Sequence, residues 1–310
     1  MHDTHVYATL DSLLQTRQLC RDLPLSARSM HPGRQAGRQF SRLRGRGIDF
    51  DQVRLYQPGD DIRNIDWRVT ARTRKPHTKV FNEERERPVF VICEQSSRLF
   101  FGTQQYLKSV ISAEACALIA WMALAHNDRV GGMVFDAQTC HEIRPRRSRQ
   151  AILQLLGRVL ASNNALAAGD PVNTDSEPLN LALRHSREVV RPGSILYLLC
   201  DHAAIDGLNQ PLLRALGSHN DLILLPVFDA LEAELPSSSH LAFVQNQQRL
   251  TLNTTDAALR EAWAAQFLAR QQAWQQLAKR LRCGLQALDT SSAPIDQLRA
   301  MLSLHARRRQ

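Results

Sequence analysis

The chain has 310 residues, 44% hydrophobic and 22% charged, enough apolar matter for a sizeable core and the wrong composition for a mostly disordered protein. Its formal net charge is +9, and such an excess attracts nucleic acid, anionic lipid or acidic protein without choosing among them. The six cysteines (Cys20, Cys93, Cys116, Cys140, Cys200, Cys283) show no CxxC or finger-like spacing, which points to reduced thiols in a cytoplasmic protein and argues against structural zinc.

The N-terminal MHDTHVYATLDSLLQTRQLC has no basic segment leading into an apolar run, so no signal peptide is expected. No apolar run reaches membrane-spanning length, and the longest, SILYLLC at 194–200, suits a buried strand. Residues 5–23 carry Leu10, Leu13, Leu14 and Leu19 among polar residues, a short amphipathic helix that Pro24 ends. Residues 26–44 are basic and poor in large apolar groups, and read as a linker or extended arm. Between Arg28 and Arg87 there are 15 Lys/Arg against 8 Asp/Glu.

Within that segment, Gly45–Arg72 (GRGIDFDQVRLYQPGDDIRNIDWRVTAR) is the most specified stretch. Pro58-Gly59 marks a type II turn, proline presetting one φ and glycine supplying the positive one. Asp60 and Asp61 then offer caps for a short helical turn, with Ile62, Ile65 and Trp67 as its apolar side. Arg54, Asp60, Asp61, Arg63, Asp66 and Arg72 alternate in sign, which predicts a salt-bridged turn more than a one-sign patch. A strand is expected at Thr78–Asn82.

From Pro88 onward the pattern becomes alternating strand and helix, the signature of an α/β layer with a largely parallel sheet. Buried strands are predicted at 89–93, 130–135, 195–200 and 222–228, and helices at 105–126, 149–161, 179–190 and 256–282. A polar loop covers 163–178, a hairpin 240–254, and a short strand (285–288) and a helix (295–305) complete the chain. The predicted domains are an N-terminal helix and arm (1–44), a small β-containing element (45–87) and an α/β domain (88–310). Ligands of open α/β sheets sit at the carboxyl ends of strands. Those positions here are Glu94 to Arg98, Asp136, Asp201-His202 and Asp229.

GRGIDF, RLYQPGDDIRNIDW, Ala71-Arg72, EERERPVFVI, the FGT at 101–103, DRVGGMVFD and FDALEAELP at 228–236 together resemble, in order over about residues 40–305, the bacterial domain-of-unknown-function family fifty-eight. The resemblance implies a von Willebrand factor A-like domain, a doubly wound Rossmann-type sheet, preceded by a small β-containing element. It also implies partnership with a MoxR-type AAA+ ATPase, acting with a client protein in complex assembly or maturation.

In metal-binding A-like domains the first strand ends in Asp-x-Ser-x-Ser, which holds a divalent ion together with a later threonine and aspartate. Here that slot reads Glu94-Gln95-Ser96-Ser97-Arg98, the threonine position falls near Glu177, and Asp201 matches the aspartate. A guanidinium in place of a serine removes an oxygen ligand and adds repulsion. The site is therefore expected to be degenerate, with no cofactor beyond weak Mg or Mn at Glu94, Ser96 and Asp201, and with Arg98 holding the carboxylates in the ion's stead.

Enzyme signatures are poor: GxGxxG, GxxxxGK[ST] and GxSxG are absent, so a hydrolase built from Ser96 or Ser97 with His202 is the weakest reading. Nucleic-acid binding through the basic 26–87 region, with Phe40, Phe50, Tyr56 and Trp67, is the stronger competitor to a protein-interaction adaptor.

Overall fold

The structure is a computed structural model that describes residues 6–20, 48–83, 87–168, 170–172, 175–245 and 248–299. The basic arm at 26–44 and the end of the last helix lie outside the described residues. The chain forms two compact units, Gly33–Glu86 and the remainder, Met1–Pro32 with Arg87–Gln310, so the smaller is inserted into the larger. The helix α1 (Leu10–Leu19), grouped with the arm in the sequence division at residue 44, belongs to the larger unit.

In the smaller unit β1 (Ile48–Leu55) pairs antiparallel with β2 (His77–Glu83), Val53 facing Lys79 and Leu55 facing His77. The Pro58-Gly59 reversal is present: the Asp60 amide donates to the Gln57 carbonyl at 3.0 Å and Gly59 has φ +105°. Asp61 caps a 3-10 turn, Ile62–Asn64, and Asp66 caps α2 (Trp67–Thr73) by accepting from the Arg68 and Val69 amides. Helix α2 closes on Arg74 in the left-handed region. Among the described side chains of this unit only Thr78 is buried. A two-stranded hairpin with so little core is marginal on its own, so backbone bonds, caps and the Arg54–Asp60 pair at 2.7 Å carry its local order.

The larger unit is built on β3 (Val89–Glu94), β4 (Val130–Phe135), β5 (Cys140–Arg146), β6 (Ile195–Asp201), β7 (Asp221–Phe228) and β10 (Gly284–Leu285), ordered β10-β7-β6-β3-β4-β5, with β11 (Leu288–Asp289) also on β7. All pairs are parallel except β4–β5. In order of these strands the path is 3-2-1-4-5-6, the doubly wound Rossmann-type arrangement expected of an A-like domain. The hairpin β8 (Leu241–Gln245) and β9 (Gln248–Leu252) stands apart from this sheet.

Side-chain alternation divides the core. Val89, Val91 and Cys93 face one layer with α1, α3 (Lys108–Ala125) and α4 (Arg149–Asn164). Phe90 and Ile92 face the other, with α5 (Glu177–Val189), α6 (Gln210–Gly217) and α8 (Ala257–Leu281). Because both faces are covered, the central strands are apolar throughout and legible as runs. The edge strand β5 was not predicted, since only Ile143 of its seven side chains is buried. The short α6 was likewise not foreseen. The single short strand predicted at 285–288 is two strands, β10 and β11.

Helix α3 corrects the expectation that nothing reaches membrane-spanning length: it is long and apolar enough, but 83% of that span is buried within the protein. Sandwiched between the sheet and α1, it needs apolar residues on nearly all sides. Helix α1 is anchored by the Trp121 Nε1–H donating to the Leu13 carbonyl at 3.0 Å. The Ala8 amide donates to Asn163 Oδ1, and Asn163 Nδ2 in turn donates to Gln95 Oε1.

Two glycines make a paired test. A Cβ at Gly132 meets the Val91 carbonyl oxygen at 2.6 Å and Leu155 Cδ1 at 2.9 Å, whereas one at Gly157 in α4 meets nothing within 4 Å. Gly132→Ala is expected to lower unfolding free energy by about 1–3 kcal/mol. Gly157→Ala is expected to raise it by about 0.5–1 kcal/mol. Urea midpoints check both, and equal midpoints would contradict the packing.

Candidate functional site

The order of the sheet reverses between β3 and β6, and the loops leaving those strands diverge to opposite faces. That divergence opens a crevice at their carboxyl ends. Its cavity is about 590 Å³ and its wall includes Arg98, Lys108, Glu177, Asp201, Glu232 and Arg270.

Next to the wall residue Asp201, Glu94 is 3% exposed. Its Oε1 accepts the Ser96 hydroxyl at 2.6 Å and its Oε2 accepts the Asp201 amide at 2.9 Å. Three of the sequence-predicted positions, Glu94, Ser96 and Asp201, therefore do converge. Burial first, and then the charge of Asp201, push the Glu94 carboxyl above its ordinary range, against the pull of those two donors and of Arg98.

The central cation was not anticipated. Lys108, 1% exposed, places Nζ 2.6 Å from Asp201 Oδ2 and 2.6 Å from Glu232 Oε1, with the Phe101 ring centroid at 5.8 Å. Lysine at the first position of a helix opposes the macrodipole, and burial alone would favour its neutral form. The two carboxylates overcome that burial and hold the ammonium's pKa above its usual value. The signal available in sequence was a lone lysine opening an otherwise apolar, alanine-rich helix.

Glu232 is positioned by a capping box: Asp229 caps α7 (Ala230–Ala233), and the Asp229 amide donates to Glu232 Oε2 at 2.9 Å. Asp229 is fully buried, and its Oδ atoms accept from the Thr103 amide and hydroxyl, from the Thr290 hydroxyl and from the Leu231 amide. Burial would raise its pKa, but these donors hold it below the usual value. The FGT and FDALE segments, 126 residues apart, thus meet through Thr103 and Asp229. Gly102 is required there, because a Cβ would lie 2.3 Å from the Tyr106 carbonyl oxygen.

The remaining predicted positions fall around this centre. Arg98 stands in the crevice wall, and its charge acts on Glu94. Glu177 is also in the wall but pairs with Arg184. Asp136 closes its own loop through Gln138 and Thr139. Ser96 donates to Glu94 and Ser97 to the Pro171 carbonyl. His202 instead stacks on Phe267 with centroids 4.6 Å apart, so a Ser–His pair is not assembled.

A divalent ion does not fit this donor set. Such an ion needs free oxygen lone pairs converging at short range. Both Glu94 oxygens are held by protein donors and Asp201 Oδ2 already faces an ammonium. Among the described residues, no group of three or more His, Cys, Asp or Glu side chains is placed to hold a metal ion.

In the smaller unit the signature residues are near one another in sequence and locally capped. Asp60 binds Arg54 and the Gln57 amide, and Lys79 lies 3.7 Å from Asp66. Hydrogen bonds hold both carboxyls, of Asp60 and Asp66, below the usual range. Ile62 and Trp67, expected as the apolar side of the turn, are 64% and 68% exposed. Pro58, Arg63 and Arg72 are exposed as well.

Fold and crevice together define a doubly wound A-like domain in which a lysine supplies the cation at the switch point. The chain belongs to the family described as "Protein of unknown function DUF58", which it matches over residues 52–273. Relatives include uncharacterized protein Rv1480 of Mycobacterium tuberculosis and uncharacterized protein Mb1516 of Mycobacterium bovis. Each is 27% identical over 245 residues, covering 79% of this chain and 75% of the relative. Among solved structures, the conserved hypothetical protein BatB from Bacteroides thetaiotaomicron covers 71% of this chain and 97% of its own at 14% identity and TM-score 0.39. The SpRpn10 VWA domain covers 69% and 94% at 10% identity and TM-score 0.38. At such scores it is the strand order, not the overlap, that carries the fold.

His202 sets an acid limit. Burial first, and then nearby Arg270 and Lys108, depress its pKa to about 4 against the opposing pull of Asp201. Between pH 6.5 and about 4 the unfolded chain binds a proton that the folded protein refuses, so stability falls as pH drops through that window. The loss from this one group is at most about 3 kcal/mol. His202→Phe is expected to lose less stability than wild type between pH 7 and pH 4.5 by denaturant unfolding; equal losses would contradict the assignment.

Proposed function

We propose that the protein is an interaction adaptor without enzymatic activity of its own, working in the cytoplasm. Its partner is a MoxR-type AAA+ ATPase, and the pair acts on a client protein in the assembly or maturation of a complex. The choice of partner comes from the family resemblance. The observation that supports an interaction surface in this chain is the exposure of Trp67 and Ile62 inside the PGDD–IDW signature. Tryptophan is the side chain most often found at the centre of binding energy, and exposed apolar groups framed by polar ones mark docking sites. Around them the caps and the Arg54–Asp60 pair fix the turn, so the two side chains are presented on a locally ordered frame.

The crevice supports the non-enzymatic part of the reading. Its central charges are engaged with one another, Lys108 with Asp201 and Glu232, and Arg270 with Asp206 at 2.7 Å. The Ser96 hydroxyl, at the end of the first strand of this sheet, is committed to Glu94.

The test is copurification of the tagged full-length protein from its host. The ATPase is expected to be retained at moderate salt by wild type. It is expected to be lost, at least tenfold by band intensity, from Ile62→Ala/Trp67→Ala, with the melting temperature unchanged because both side chains are exposed. Undiminished capture by the double variant would refute the proposed surface. Retention of nucleic acid alone, falling steeply with salt, would favour the competing reading.

A further inference from the structure

We propose that Lys108 is an intramolecular substitute for a divalent ion: a cation delivered by the start of α3 to the place where the β6 and β7 exit loops meet. Three observations carry it. The ammonium joins carboxylates from two different loops, Asp201 at the end of β6 and Glu232 after β7, at 2.6 Å each. It is sealed from solvent at 1% exposure, so it neutralises those groups in a low-dielectric setting where a mobile counterion would otherwise be required. Asp201 is fixed at each polar atom: its amide donates to Glu94 Oε2, its Oδ1 accepts the Ala203 amide, and its Oδ2 faces Lys108.

A tethered ammonium differs from a metal ion in one physical respect that matters. It cannot dissociate, so the charge of the crevice does not depend on the concentration of any ion. It also directs hydrogen bonds rather than accepting lone pairs from a ring of ligands. The loops of β6 and β7 are thereby tied to α3 in a single charge state. The corollary is that deleting the ammonium leaves the buried Asp201 beside the half-buried Glu232 without the cation that joins them. Ions of the Mg2+ class are held through one or two carboxylates and keep several of their waters, so the emptied place is expected to take such an ion. The inference concerns stability and ion binding and does not depend on the identity of any partner.

The full-length protein is melted in EDTA, in millimolar Mg2+ and in millimolar Mn2+. Wild type is expected to melt at one temperature in all three. Lys108→Ala is expected to melt lower in EDTA and to recover by about 5 °C in Mn2+, with a matching Mn2+ isotherm that wild type lacks. A metal-dependent rise in wild type that disappears in Asp201→Asn would overturn the proposal, as would a Lys108→Ala protein that is indifferent to both ions. Should Lys108→Ala not accumulate, the protein recovered in denaturant is refolded in Mn2+ and in EDTA. A higher folded yield in Mn2+ supports the substitution, and equal yields overturn it.

Discussion

The ion group at the carboxyl edge of the sheet is the interaction on which the rest depends. Asp201 and Glu232 come from loops that leave the sheet separately, and Lys108 opens the helix that packs beneath it. Asp201 is buried and Glu232 half-buried, and carboxylates so placed repel one another and resist desolvation, so a cation between them favours the approach of these loops. With it, the β6 exit, the β7 exit and the start of α3 are drawn to one point. The neighbouring Asp229 cluster, neutral-donor rather than ionic, adds Thr103 and Thr290 to the same edge. The crevice is the space that these tied loops leave open.

The sheet was readable because its central strands are covered on both sides. Residues 130–135 and 222–228 are continuous apolar runs for that reason. The edge strand β5 was hidden because an edge needs little burial, and Cys140–Arg146 contributes only Ile143 to the core. The two-strand ending at β10 and β11 was read as one because each is only two residues long.

The site was legible in part. The motif of metal-binding A-like domains brought Glu94, Ser96 and Asp201 together, and the sheet agrees because residues ending adjacent parallel strands are neighbours. The motif could not bring in Lys108, whose approach depends on how a helix start is placed over the sheet edge, nor Glu232, whose role required the α7 capping box to turn it inward. The cation was sought in Arg98 because it stands in the slot of the motif's final serine. Lys108, which joins Asp201, comes ten residues later in the chain, from the helix.

The Asn163 amide closes a link that runs across one layer of the larger unit. Its two ends connect the backbone at Ala8, just ahead of α1, to Gln95, which follows Glu94 at the end of β3. A helix contributed by the first twenty residues is thereby wired, through one side chain of α4, to the strand end that carries the buried Glu94 carboxylate.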